Sequence, residues 1–497
     1  MLTSLAALYA VVLGSNVATG PNVQPLRFAD DDAVNYASLL TEAGVEVTLL
    51  TSLDADTRAL HKNVVPSGPP TRAALDTALE NLSQKIEADR RAGRHVEAFL
   101  VYAGHGDVDH GEGYLQLADA QLKRSELYSR VLPRLANADR VHVIIDSCKS
   151  YFFAFDRGAA GTRQPHSGHF VDAIGPELFP NVGFLLSTSS GADSHEWEEF
   201  QGGVFSHEVR SALRGAADAD RDGAISYAEL GAFVARANVT IPNAKFRPQF
   251  TVHPPRKDLE GLKTTLLKWP SEAHVRTVVV DVPLGRLFME DESGTRLLDA
   301  HPGESSIVLH VPTGPLYLHT IDGSESEFAI AADPGSVRLS SLESKPARLA
   351  RRGALALSFR GLFAESFGAG DVKTFLSTPA VALDAAAPSS EQRILPKLRW
   401  AAIGVAIATA GAGVACSIAA YETRESPGGA THADLSATNA RIDQMNGAAV
   451  GLYVVAAASI ATAILTVVVP RLLPRRPRGL RAIGVSGAGM KAVVAFP

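Results

Sequence analysis

The first 260 residues alternate between two kinds of stretch. Short runs dense in Val, Ile and Leu occupy 8–13, 45–50, 96–102, 141–145 and 182–187, and amphipathic stretches lie between them near 31–43, 71–91 and 123–136. Runs of that length without polar alternation suit strands covered on both faces. Their repetition with helical stretches predicts an α/β unit over 1–260, with a mostly parallel sheet and helices on both faces. On this reading LYAVVL at 8–13 is the first strand, and it lacks the basic residues that would precede the core of a secretion signal.

Downstream the pattern changes. VRTVVVDV, SSIVLHV and LYLHTI are separated by turns of Gly, Pro, Asp and Ser, which predicts a small antiparallel β domain over 270–380. Residues 381–399 read as a linker. Two runs without Asp, Glu, Lys or Arg follow, 401–421 and 447–469. About 20 apolar residues cross a bilayer as a helix, so 400–470 reads as a transmembrane hairpin followed by a basic tail, 471–497. Two buried core helices are the alternative. Gly404, Ala408 and Ala412 give the first run a small-residue face suited to close helix contact. Arg393, Lys397 and Arg399 precede the pair and Arg471, Arg475, Arg476, Arg478 and Arg481 follow it, against Arg424 and Arg441 in the loop between. The positive-inside rule places the N-terminal domain in the cytoplasm, membrane-anchored through the hairpin; the periplasmic or extracellular side stays open.

Composition narrows the function classes. The chain has 497 residues, 46% apolar and 20% charged, which excludes a mainly disordered protein. Its 47 basic and 53 acidic residues show no basic excess, so no nucleic-acid partner is expected. Only Cys148 and Cys416 are cysteines, too few for a disulfide framework.

In α/β sheets, functional residues gather at the carboxyl ends of strands. AFLVYAGHG places His105 just after the third predicted strand, with Gly106 behind it, and VHVIIDSCKS places Cys148 just after the fourth, behind Asp146. If those strands are parallel neighbours, imidazole and thiol emerge at one edge. The imidazole can then take the thiol proton and return it to a leaving amine, while the amides of Gly106 and Cys148 hold an oxyanion. Each motif alone has a plainer reading: a strand-end Cys is often a small buried hydrophobe, and a Gly-His-Gly turn often only a turn. Their occurrence on consecutive strand ends favours chemistry.

The pair YAGHG and DSC, 43 residues apart, resembles the caspase and metacaspase group of cysteine peptidases. LYAVVLGSN resembles that group's first strand and turn, and PLRFADDDAVNYASLL resembles the segment with an Asp-Ala pair opening the first helix. FLLSTSSGADSHEWEEFQGGVFSHEV resembles its later strand, loop and helix, so the resemblance covers about 8–250. It implies an endopeptidase acting on protein or peptide substrates through an acyl-enzyme, with His105 as base and Cys148 as nucleophile. It also implies a basic residue before the scissile bond, held by Asp32 and Asp146, since paired carboxylates suit the fork of an arginine. Asp30, Asp31 and Asp32 also have a simpler use as helix caps and dipole partners. The chain departs from the family at Ala103, where Ser is usual, and at Lys149, Ser150 and Tyr151, where His-Ser-Gly usually follows the Cys. Those departures motivate a second reading, an inert caspase-like scaffold serving as a membrane-anchored interaction module.

One further motif stands out. DADRDGAISYAE fits a twelve-residue EF-hand loop, with Asp218, Asp220, Asp222, the Ala224 carbonyl, Ser226 and Glu229 as oxygen ligands and Gly223 at the sharp turn. Helical stretches at about 204–214 and 227–237 flank it. The implied cofactor is Ca2+; the alternative is an acidic turn that binds no metal.

Overall fold

In the computed structural model the described residues are 6–20, 23–110, 112–148, 150–154, 168–169, 178–187, 196–241, 247–248, 250–270, 276–321, 325–331, 335–347, 359, 361–377, 448 and 450. The five expected strands are present as β1 (Ala7–Ser15), β2 (Glu46–Thr51), β3 (Val96–Gly104), β4 (Arg140–Asp146) and β5 (Val182–Ser187). They lie in the order β2-β1-β3-β4-β5 and all pair in parallel. A sixth strand, β6 (Phe250–His253), joins β5 antiparallel, and Gly168–His169 lies beyond it.

The strands are continuously apolar because both faces are covered. Ala10 and Val12 of β1 enter one apolar cluster with α1 (Ala29–Glu42), α3 (Val204–Ser211) and α4 (Tyr227–Asn238); Val11 and Leu13 enter the other, against α2 (Arg72–Arg91). The expected helix at 123–136 is wound in three short pieces, 124–126, 127–131 and 132–135, the middle one a wide π turn. Pro133 has no N–H for a regular helical bond, and the Leu132 amide reaches back to the Leu127 carbonyl. Unforeseen in the sequence is a small antiparallel meander after His105, made of Gly106–Asp109, Glu112–Gln116 and Gln121–Lys123.

The β-rich region holds a five-stranded antiparallel sheet, in the order 296–300, 287–291, 316–320, 326–330, 344–346. Beside it is a three-stranded sheet in which 276–280 pairs antiparallel with 307–311 but parallel with 336–338, a departure from the purely antiparallel expectation. Val278, Met289 and Leu309 share an apolar cluster with Val209, Leu213 and Phe233, and strand 296–300 packs against α3. Residues 1–387 with 427–443 form one compact unit; 388–426 with 444–497 form another. The predicted spans 401–421 and 447–469 lie outside the described residues, apart from Ala448 and Val450. Among the described residues no helix is long and apolar enough to cross a membrane.

Candidate active site

Strand register sets the two motifs level. Ala103 of β3 pairs with Asp146 of β4, so His105 and Cys148 each stand two residues beyond a matched pair, at the carboxyl edge of the sheet. The chain paths meet there. A methyl group on Gly106 would lie 2.7 Å from Ser147 Oγ and 2.8 Å from the Cys148 carbonyl oxygen, so only glycine lets the two strand ends approach this closely. His105 is 8% exposed and Cys148 is half-buried. The Ser150 hydroxyl donates to the Ser187 carbonyl at the end of β5, tying the chain after Cys148 to the next strand. Lys149 and the side chain of Tyr151 lie outside the described residues.

His105 Nε2 lies 3.0 Å from the carbonyl oxygen of Gln24. A carbonyl only accepts, so Nε2 carries the proton and Nδ1 of the neutral ring keeps its lone pair. Burial holds the imidazole below its ordinary range, with the Gln24 carbonyl pulling the other way. The ring is therefore neutral near pH 7. Gln24 escaped the sequence reading because it acts through a main-chain oxygen, which no residue type encodes.

The three acids that open α1 have separate surroundings. Asp30 accepts from Asn16 Nδ2 at 2.7 Å and the Asp54 amide at 2.8 Å, fastening the loops after β1 and β2. Asp31 accepts from Thr57 Oγ1 at 2.9 Å. Asp32 turns instead to the first turn of α3, where its Oδ2 accepts from the Gly203 amide at 2.7 Å and its Oδ1 lies 3.2 Å from Arg210 Nη2. Asp146 reaches the same helix end: its Oδ2 accepts from the Ser206 amide at 3.0 Å and the Ser206 hydroxyl at 2.7 Å. Orphan amides and the positive end of the helix dipole suit both carboxylates. A methyl group on Gly203 would lie 2.5 Å from Asp146 Oδ2 and 3.1 Å from Asp32 Oδ2, so the structure brings these two sequence-predicted acids together around one glycine.

Two charged residues here were not singled out from the sequence. Glu196 accepts from the Phe28 amide at 2.9 Å and the Arg27 amide at 3.2 Å. Burial pushes it up to about 6, against those two amides and with the help of Asp146. Arg210 follows Ser206 by four residues, hence on the same face of α3. That spacing was its available signal; Glu196 sits in a two-residue strand, Glu196–Trp197, paired antiparallel with Gly202–Gly203 and too short to leave a periodicity.

The acidic loop adopts the predicted turn. Carboxylate oxygens of Asp218, Asp220 and Asp222 lie within 4.8 Å of one another. Asp218 accepts from the amides of Asp222 and Gly223, both at 3.1 Å, and Gly223 has φ +77°, a conformation that favours glycine. Ser226 caps α4, accepting from the Glu229 amide at 3.2 Å. Glu229 Oε2 takes the Ser226 amide and hydroxyl, and Oε1 takes the Ala219 amide at 3.1 Å, so this carboxylate spans both ends of the loop. Ala224–Ser226 pairs with Thr265–Lys268, so an ordinary strand braces the loop.

No curated protein matches the chain. Similar solved structures include the Drosophila initiator caspase Dronc, at 10% identity and TM-score 0.32, covering 55% of this chain and 85% of that one. Another is pro-sf-caspase-1, at 14% identity and TM-score 0.32, covering 50% and 87%. A family model for the caspase domain matches residues 8–260, from β1 to just past β6, and the chain belongs to that family of cysteine peptidases.

Proposed function

We propose that this chain is a cysteine endopeptidase that cleaves after Arg or Lys through an acyl-enzyme on Cys148. The observation carrying the reading is the meeting of two strand ends at Gly106, with the proton-accepting nitrogen of His105 on one and the Cys148 thiol on the other. His105 Nδ1 takes the Sγ proton and the thiolate attacks the substrate carbonyl carbon. The amides of Gly106 and Cys148 stabilise the oxyanion. The C–N bond then breaks as the imidazolium protonates the leaving amine. Water, deprotonated by the same imidazole, hydrolyses the thioester and restores the thiol. The side chain before the scissile bond is directed to the acids around Gly203.

Peptide reporters test this. With Arg or Lys at the cleaved position, Cys148→Ala is expected to lose activity on the order of 10⁴-fold or more. Undiminished activity in that variant overturns the mechanism, and cleavage after Asp alone overturns the basic preference.

Calcium binding at Asp218–Glu229 belongs to the same proposal. Three converging carboxylates and Glu229 reaching back to Ala219 fit a hard, oxygen-seeking cation. Calcium titrated into chelator-treated protein should raise the melting temperature, and Asp220→Asn should abolish the rise; a melting temperature indifferent to calcium refutes it. Anchoring through 401–421 and 447–469 rests on their uncharged length, and release of the full chain from membranes by alkaline carbonate counts against it.

A further inference from the structure

Tyr102, near the end of β3, is buried, yet its hydroxyl is fully engaged. Oη lies 2.8 Å from the carbonyl oxygen of His105 and 2.8 Å from that of Gln116. Carbonyls only accept, so the phenol donates, its one proton shared between them. Burial pushes the hydroxyl well above its ordinary range, the Gln116 carbonyl opposing, so the donor keeps its proton at any working pH. The His105 carbonyl takes a second bond, from the Gln116 amide at 2.9 Å. A methyl group on Gly104 would lie 2.4 Å from the Tyr102 hydroxyl oxygen, so only glycine lets the chain fold over the end of the phenol.

The grip falls on one peptide group. A trans peptide is planar, with its N–H pointing opposite to its C=O. The His105 carbonyl and the Gly106 N–H share one such plane, so whatever fixes the carbonyl also aims the N–H. Strand pairing gives the direction. Gly106 stands opposite Leu115, and the bond from the Gln116 amide to the His105 carbonyl flanks that pair, which makes it a non-hydrogen-bonded pair of the antiparallel ladder. The Gly106 N–H therefore turns away from Glu112–Gln116, and Gly106–Asp109 is the edge strand of the meander. Ser147 and Cys148 come against Gly106 from outside the meander. We propose that Tyr102 is a positioning residue: through the His105 carbonyl it holds the 105–106 peptide so that the Gly106 N–H faces the oxyanion of the tetrahedral intermediate on Cys148. The imidazole has its own support in the Gln24 carbonyl, so the phenol acts on oxyanion stabilisation and not on proton transfer. The inference rests on the peptidase reading above and deepens it.

The test is Tyr102→Phe in the full-length protein, read with arginine peptide reporters. The change leaves the ring and the bond from the Gln116 amide in place. Loss of a whole oxyanion donor costs about 10²–10³ in kcat, so misaiming one is expected to lower kcat about tenfold to a hundredfold with KM within about twofold of the wild type. A peptide aldehyde ending in arginine, whose tetrahedral adduct with Cys148 places an oxygen at the same spot, should bind more weakly by a similar factor. Alkylation of Cys148 by iodoacetamide needs thiolate and imidazole but no oxyanion donor, so its rate and pH profile should be unchanged. An unchanged kcat overturns the proposal. So does alkylation that falls with kcat, which would make Tyr102 a support of the imidazole or of the site as a whole. Placing para-aminophenylalanine at position 102 restores N–H donors where the hydroxyl was and should return kcat to within about threefold of the wild type; failure of that rescue also overturns it. Should Tyr102→Phe fail to fold, Gly104→Ala, which drives a methyl group onto the hydroxyl, is read by the same three measurements. A wild type that cleaves no arginine or lysine reporter sinks the peptidase reading and this proposal with it. Wild-type turnover that Tyr102→Phe leaves untouched sinks the proposal alone.

Discussion

Arg210 and Arg296 are both buried arginines that reach an aspartate beside α3, and they are built differently. Arg296 Nε donates to Asp299 Oδ2 at 2.7 Å, its Nη1 donates to Glu199, and its guanidinium lies 3.9 Å from the ring centre of Phe288. Asp299 also accepts from His207 Nε2 at 2.8 Å, and its amide donates to Ser211 Oγ at 3.0 Å. Burial alone would raise the Asp299 carboxyl, but Arg296 and His207 hold it below the ordinary range. For Asp32 burial wins: the carboxyl is pushed well up, Arg210 opposing and Asp146 reinforcing. A buried ion pair repays its desolvation only when hydrogen bonds satisfy the remaining donors and acceptors. The pair at Arg296 meets that condition and fastens the β-rich region to α3. The pair at Arg210 does not, and it sits at the candidate substrate pocket, where a guest can alter the balance.

The largest effect that can break this comparison is on stability. Asp299→Ala strips Arg296 and His207 of their shared partner and is expected to cost about 3–5 kcal/mol. Arg210→Met is expected to cost at most about 2 kcal/mol, because no hydrogen bond is lost and Asp32, already pushed up, takes a proton. Denaturant midpoints of the two variants check both figures. Equal losses would mean the two pairs are energetically alike and the contrast is only geometric.

The contrast itself was hidden in the sequence, although much of the fold was legible. Five parallel strands announced themselves because strands buried on both faces become unbroken apolar runs. FTVH of β6 is too short for such a signal, and GDVD and EGYLQ of the meander alternate with Gly and acids, so both passed as loop. His105 and Cys148 were found because strand ends are predictable in α/β sheets. The acids at 30–32 were found as a group, but which one turns toward α3 depends on how α1 rolls against the sheet. Arg210 lay in SHEVR as one charge in an amphipathic window, and only the packing of α3 shows that it meets Asp32.

A smaller effect sharpens the finished side of α3. Burial, with the ring stacked on Phe200 at 3.8 Å between centres, pushes the His207 imidazole down to about 4, the Asp299 hydrogen bond opposing. The unfolded chain takes this proton near 6.5, well before the folded one. The contribution is therefore fully present above pH 6.5 and is lost as pH falls toward 4, about 2 kcal/mol by pH 5. His207→Gln should flatten the loss of stability between pH 7 and pH 5 by about that amount. His253 and His310 are also pushed down to about 4 by burial, so some slope remains. An unaltered slope in the variant would place His207 outside the acid response and weaken the view of this network as a closed, water-free pair.

The smallest effect probes the unfinished side, at Glu196. Burial pushes this carboxyl up to about 6, so its charge appears as pH rises through 6 and adds to the field around Asp146. A peptide reporter with arginine at the cleaved position and its neutral isostere with citrulline need the same thiolate and imidazole, so the ionisations of Cys148 and His105 cancel in the ratio of their kcat/KM values. That ratio should rise roughly two- to fivefold between pH 5 and pH 7, the span of a partly exposed ion pair. Glu196→Gln keeps an oxygen for the Phe28 amide and should make the ratio flat. A rise surviving in Glu196→Gln would have to come from another carboxyl, such as Asp32, which burial also pushes up. Asp32 would then be the group that titrates, as an ion pair left short of hydrogen bonds allows.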